Sequence, residues 1–286
     1  MKTILARTLA SWAVLLAATT NAAAAPSYQA MWWGGPSQDG WGVSLILHED
    51  RYFGALLGYD ISGQPTWAVA PSAFLLTGSD PGRFLVLGGL LTTHGSPFFA
   101  YDSSAFRVTN SANAFGLPSS NVVSDRMEFV FPNSGEGTFS FVLNGPPFVS
   151  ASAAVIRQDF SDTSPSPMTG LADMWWGGVS QAGWGIAIHE QLGALFSVWL
   201  TYDESGNPTW FMLPPGAWID STTYAGPIIR TTGSSLGYGS VPYDPSKVQL
   251  QEVGSFRLNF SDTQHATFEY TAQGHSGSIA LSREPF

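Results

Sequence analysis

The residues able to do acid–base or ligating work are few here, and those offering flat aromatic surface are many. The chain holds five histidines, no cysteine and 11 tryptophans. His48-Glu49 and His189-Glu190 look like a repeated pair, but once the internal repeat is aligned Gln191 is what matches His48. The two histidines keep the same strand parity and can face the same way; the ordinary reading is a polar strand residue. His265 and His275 lie near an expected hairpin, with Ser276 adjacent, and the sequence offers no acid to orient either of them. A hydrolase would need a histidine and a carboxylate converging at one barrel mouth. The sequence contains no Gly-x-Ser-x-Gly elbow, no HExxH pair, no phosphate loop and no dinucleotide fingerprint. Thiolate metal sites and disulfides are excluded by the absence of cysteine. These residues assign no catalytic group, metal or cofactor. The chemistry expected is recognition by aromatic surface.

That surface is repeated. Met31-Trp32-Trp33-Gly34-Gly35-Pro36-Ser37-Gln38-Asp39-Gly40-Trp41-Gly42 returns as Met174-Trp175-Trp176-Gly177-Gly178-Val179-Ser180-Gln181-Ala182-Gly183-Trp184-Gly185, 143 positions later. At the same separation, Tyr59-Asp60-Ile61-Ser62-Gly63-Gln64-Pro65-Thr66-Trp67 returns as Tyr202-Asp203-Glu204-Ser205-Gly206-Asn207-Pro208-Thr209-Trp210. The chain is a tandem duplication. In extended backbone the adjacent tryptophans point to opposite faces, so one of each pair should plug its unit. The other should face solvent, a ligand or the sister unit.

Comparing the units separates their faces further. Phe53, Leu57 and Tyr59 match Phe196, Leu200 and Tyr202 on one shared face, which reads as core. On the opposite face Leu56 becomes Trp199 and Ala68 becomes Phe211. The turn placement puts Trp199 across from Phe211, and a one-residue slip would separate them. This added aromatic pair reads as a ligand site or, preferred on the shortness of the linker, as the face joining the two units. The candidate ligand-binding residues are Trp32, Trp33, Trp175, Trp176, Trp199 and Phe211.

These residues must be carried on strands. Short β-prone runs bounded by Gly, Pro and Asn cover 41–48, 52–59, 66–74, 83–91, 126–131, 138–143 and 151–157. Asp60-Ile61-Ser62-Gly63 and Asp203-Glu204-Ser205-Gly206 read as hairpin turns. In each, Asp bonds the backbone ahead and Gly takes a positive φ, which removes these carboxylates from the acid–base candidates. A closing block, Met127 to Gly145, matches Phe256 to Gly274 at a separation of 129. Unit two is therefore 14 residues shorter in the middle, and the surplus is expected as a surface loop over Ser103 to Val123. The last strands should finish at Arg157 and Arg283. The expected fold is all-β: two tandem antiparallel meander barrels of about seven to eight strands each, with two β-sandwiches as the alternative. The expected division is a signal peptide over 1–25, unit one over 26–160, a Ser/Pro-rich linker over 161–170 and unit two over 171–286.

Lys2 and Arg7, an apolar run from Leu9 to Ala18 and the small residues Ala22 to Ala25 have the layout of a cleaved secretory signal. A secreted or periplasmic protein is expected. Without that segment nine basic residues face 21 acids, a net charge of −12, which disfavours nucleic acid as a partner. No stretch is long enough for a transmembrane helix. A terminal Phe286 is compatible with an outer-membrane barrel, yet Glu284-Pro285 interrupts the alternation such a strand needs. Oligomeric state is not encoded in any of these patterns.

The combined pattern Trp-Trp, Ser-x-x-Gly-Trp-Gly and Tyr-Asp-x-x-Gly-x-Pro-x-Trp resembles a repeat of exported proteins from Gram-negative bacteria. It spans the start of both units and implies a compartment and a module, with no activity attached. The layout is also similar to lipocalin and avidin barrels, in which a Trp near the first strand closes one end and the open end takes a small ligand. That second likeness carries no binding residues across. The resulting expectation is an exported, non-enzymatic binding protein for a small apolar ligand or glycan. The alternative is a structural or cell-surface protein whose Trp-rich faces pack the two units together.

Overall fold

The computed structural model describes residues 27–77, 84–109, 125–143, 149–160, 166–236 and 242–285. The expected signal peptide, and most of the surplus segment, lie outside them.

Unit one is built from β1 (Ala30–Trp33), β2 (Gly42–His48), β3 (Arg51–Tyr59), β4 (Pro65–Thr77) and β5 (Phe84–Gly89). A short ribbon follows, β6 (Thr92–His94) with β7 (Arg107–Thr109), and then β8 (Arg126–Phe131), β9 (Glu136–Leu143) and β10 (Val149–Arg157). The eight longer-range partners close into a barrel in the order β1-β10-β9-β8-β5-β4-β3-β2. Unit two runs β11 (Asp173–Trp176), β12 (Gly185–Gln191), β13 (Ala194–Tyr202), β14 (Pro208–Leu213), β15 (Ala217–Trp218), β16 (Thr223–Thr232), β17 (Gln249–Phe260), β18 (His265–Ala272) and β19 (His275–Arg283). Its sheet closes through β14 and β16, where Met212 pairs with Ile229. Both meanders are barrels, as expected, and their last strands end at Arg157 and Arg283.

The hairpins form as their sequences dictate. Asp60 Oδ1 accepts from the Ser62 and Gln64 amides, and Gly63 sits at φ 78°. Asp203 and Gly206 repeat this, with φ 80° at the glycine. Such backbone favours glycine because a Cβ would clash.

Register decides which face is inside, and here it reverses an expectation. Trp32 lies opposite Val43, Val43 opposite Leu56, and Leu56 opposite Ala68, so these four share a face. That face is the barrel interior: the Trp32 ring meets Phe129 and Phe131 at 6.4 and 4.7 Å between centroids. In unit two the same chain of partners is Trp175, Ile186, Trp199 and Phe211. The expected Trp199–Phe211 pairing is present. It lies inside barrel two, where Trp199 meets Phe268 and Tyr270 at 5.0 and 4.8 Å, and it touches unit one through Phe98, which reaches in from the other unit. The repeated face of Phe53, Leu57 and Tyr59 points out of its barrel instead and packs into one cluster with Phe196, Leu200 and Tyr202. The face shared by the two units is thus their junction, and the face that differs is each barrel's private core. The shorter Leu56 and Ala68 are partly offset by Phe129 where barrel two has Leu258, as close packing requires.

Trp199 is 1% exposed and wholly enclosed by aromatic rings. Trp199→Ala should therefore cost about 3–5 kcal/mol of unfolding free energy by urea denaturation. An unchanged midpoint would contradict its place in the core.

Candidate functional site

The two units meet through matched residues. Trp67 and Trp210 occupy the same place in the repeat, and each sends its indole N–H across the junction. Trp67 Nε1 donates to the carbonyls of Thr201 and Thr209 at 3.1 and 3.0 Å. Trp210 Nε1 donates to Gly58 O at 3.2 Å. Each ring also lies beside the other unit's tyrosine, Tyr59 with Trp210 and Tyr202 with Trp67.

Each unit also lends the other an arm. In unit one the arm is residues 95–106, and in unit two residues 233–248, of which 237–241 are outside the described residues. Gly95 N donates to Gly206 O and Gly233 N to Gly63 O, both at 3.1 Å, so each arm lands on the opposite turn. A Cβ at Gly95 would strike the Tyr202 ring, and one at Gly233 the Tyr59 ring; only glycine allows this approach. Farther along, Tyr101 donates to Ala182 O and Tyr243 to Asp39 O, again equivalent positions. Between these anchors Phe98 sits edge-on against Trp199, Phe211 and Tyr270, at 5.2, 5.5 and 5.8 Å, and plugs barrel two. Leu236 joins the core of barrel one in the same way. Open barrel ends, as in the lipocalin-like layout, are therefore replaced by ends that the sister unit fills. At the plugged end of barrel two, His275 stacks on Phe99 at 3.7 Å.

What the junction leaves open is a pair of apolar clefts related by the same repeat. The first, about 180 Å³, is lined among others by Trp33, Trp41, Leu57, Phe196 and Trp210. The second, about 280 Å³, is lined by the counterparts Trp176, Trp184, Leu200, Phe53 and Trp67. The arms close their rims, Val248 on the first and Phe106 on the second. Of the six candidate residues, Trp33 and Trp176 line these clefts. Trp32, Trp175, Trp199 and Phe211 are at most 1% exposed inside the barrels and offer a ligand no surface. Trp41, Trp184, Trp67 and Trp210 also line the clefts and were absent from the candidate set. Their presence in both repeat blocks was the signal that could have found them.

The polar groups divide the clefts. Gln158 N donates to Met31 O and Glu284 N to Met174 O, both at 2.8 Å, so the two side chains are equivalent in position. Gln158 belongs to the first cleft and Glu284 to the second. Burial, and then the nearby Asp173 charge, push the Glu284 carboxyl up from 4.5 to about 7. Asp173 itself accepts from Arg283 Nη1 at 2.6 Å and lies 3.5 Å from His48 Nδ1. A third cavity, about 440 Å³ and polar, lies between the turns of Asp60 and Asp203 beside His94. Its Asp60 and Asp203 carboxylates already accept backbone amides.

The remaining histidines are structural. His189 is enclosed at the junction, with Nε2 2.9 Å from Ser44 Oγ. Burial, with a smaller effect of the Arg157 charge, holds it down to about 3 from 6.5. His265 caps its own turn through Asp262 at 3.0 Å, and Ser276 bonds Thr271 rather than a histidine. Among the described residues, no three side chains able to hold a metal ion cluster together.

The fold and the junction define a two-barrel protein with paired aromatic clefts. Searches against family models, curated proteins and solved structures found no match to this chain.

One buried and one half-buried group give opposite pH dependences. Between pH 6.5 and 3 the unfolded chain protonates His189's imidazole and the folded one does not, so acidification through this window destabilises the fold. Between 4.5 and 7 the folded chain holds the Glu284 proton that the unfolded chain releases, so raising pH destabilises it. Relative to wild type, Glu284→Gln should gain stability between pH 5 and pH 7, read as a widening difference in urea midpoints. A constant difference would place Glu284 in an aqueous setting.

Proposed function

We propose that this is an exported small-ligand-binding protein whose sites are the two clefts at the barrel junction. The observation that carries the reading is the repetition of the clefts: the motif residues Trp33, Trp41 and Trp210 line the first, and their counterparts Trp176, Trp184 and Trp67 line the second. Trp32, Trp175, Trp199 and Phe211 are closed off inside the barrels, which favours the junction over a barrel interior as the ligand's place. Cavities of about 180 and 280 Å³ lie below the usual range for drug-sized ligands, which favours a compact molecule over an oligosaccharide. Their linings favour an apolar body that can stack on indole. Export is supported by the Lys2, Arg7 and Leu9–Ala18 layout followed by Ala22 to Ala25. Among the described residues no helix is long and apolar enough to cross a membrane. The exposed strand positions Gln249, Gln251, Arg257, Asn259 and Glu269 are polar where a membrane barrel would present an apolar band.

A structural role is the second reading, and one observation favours it. Trp67 and Trp210, with Tyr59 and Tyr202, hold the units together whether or not anything enters the clefts.

Tryptophan fluorescence separates the two. Titration of the purified protein with p-xylene should give a saturable change that Trp33→Ala/Trp176→Ala removes, while cellotriose gives none. A flat response to p-xylene, or one indifferent to the double substitution, would leave the structural role standing.

A further inference from the structure

The second cleft is not a copy of the first. Where the repeat places Gln158 in one, it places Glu284 in the other. Among the described residues the Glu284 carboxyl has no hydrogen-bond or ion-pair partner. The nearest cationic side chain in sequence, Arg283, is bonded elsewhere through all three of its nitrogens. Its Nη1 donates to Asp173, its Nη2 to Gly170 O and its Nε to Thr263 O. His48, on the facing strand of unit one, is directed at Asp173 as well. The cleft thus combines one carboxyl, Glu284, with three tryptophans and two phenylalanines around its walls.

We propose that this second cleft binds an organic cation, a quaternary or protonated amine whose apolar substituents rest among Trp67, Trp176 and Trp184 and whose charge is met by Glu284. The proposal rests on the cleft reading above and names its ligand class. Three considerations of chemistry lead there. Aromatic walls attract a cation through the ring quadrupole, most strongly when water is excluded. A carboxylate in an apolar enclosure is costly without a counter-ion, so a cationic ligand would relieve it. The free protein shows that cost in the upward displacement of Glu284, caused by burial and by Asp173 and opposed by no cation. A neutral apolar ligand gains from the walls alone, and an anion would face the Glu284 carboxylate. A volume of about 280 Å³ accommodates a small tetraalkyl or benzylammonium group.

Isothermal titration with benzyltrimethylammonium chloride and with neopentylbenzene, its uncharged carbon isostere, tests this on the purified protein. At pH 8 the cation should bind about tenfold or more tightly than the isostere. Glu284→Gln should abolish that preference while leaving neopentylbenzene affinity unchanged, which also reports that the variant is folded. Trp176→Ala should lose the cation and Trp33→Ala retain it. In the wild type, cation affinity should fall as pH drops from 8 to 5, and in Glu284→Gln it should stay flat. Equal affinity for the two probes, or a preference that survives Glu284→Gln, overturns the cation assignment and leaves the apolar clefts in place. Binding of neither probe overturns both.

Discussion

Everything else in this molecule depends on two indole N–H groups that cross from one barrel to the other. Trp67 and Trp210 are large rings on outward-facing positions, where water would otherwise surround an extensive apolar surface. Their N–H groups could not be buried without acceptors, and strand carbonyls of the sister unit supply them. Because those carbonyls flank the hairpin turns, seating the indoles also brings each Asp-x-x-Gly turn under the other unit's arm. The arms then deliver Phe98 and Leu236 to the opposite barrels, and the space between the two seats becomes the clefts. Junction, plugs and clefts are one arrangement.

The placement of the doubled tryptophans follows from the same constraint. Opposite faces of β1 must satisfy two different environments, a barrel core and a junction. Trp32 and Trp175 complete the cores, and Trp33 and Trp176 are left at the clefts. The glycines that follow let Trp41 and Trp184 fold back over the chain. A motif with the form of a binding signature is thus divided between packing and surface, one ring of each pair to each.

The barrels, their strand ends and the Asp turns were legible in the sequence because alternation and turn chemistry are local. The parity of Phe53, Leu57 and Tyr59 against Leu56 was legible too, but which face points inward was not. Strands buried on both sides are apolar on both sides, so alternation marks two faces without naming them. Similarity between the units misled for a physical reason: a junction made of equivalent positions restrains both copies alike, whereas two separate cores are free to repack. The arms left no local signal at all. Phe98 and Trp199 are far apart in the chain, and nothing in either neighbourhood announces the contact. In the sequence Glu284 reads only as an interruption of a last strand, since its meaning depends on the cleft that the junction builds around it.

The two-fold correspondence between the units has a further consequence. Had the same junction formed between identical chains, it would be isologous, and every change in one cleft would appear in the other. A carboxylate gained by one would be gained by both, and no homodimer could hold a glutamine at one seat and a glutamate at its mate. Covalent joining of the halves lifts that symmetry while keeping the geometry it created. Residues 158 and 284 occupy one structural address with two chemistries. Fusion lets a single scaffold carry two different receptors.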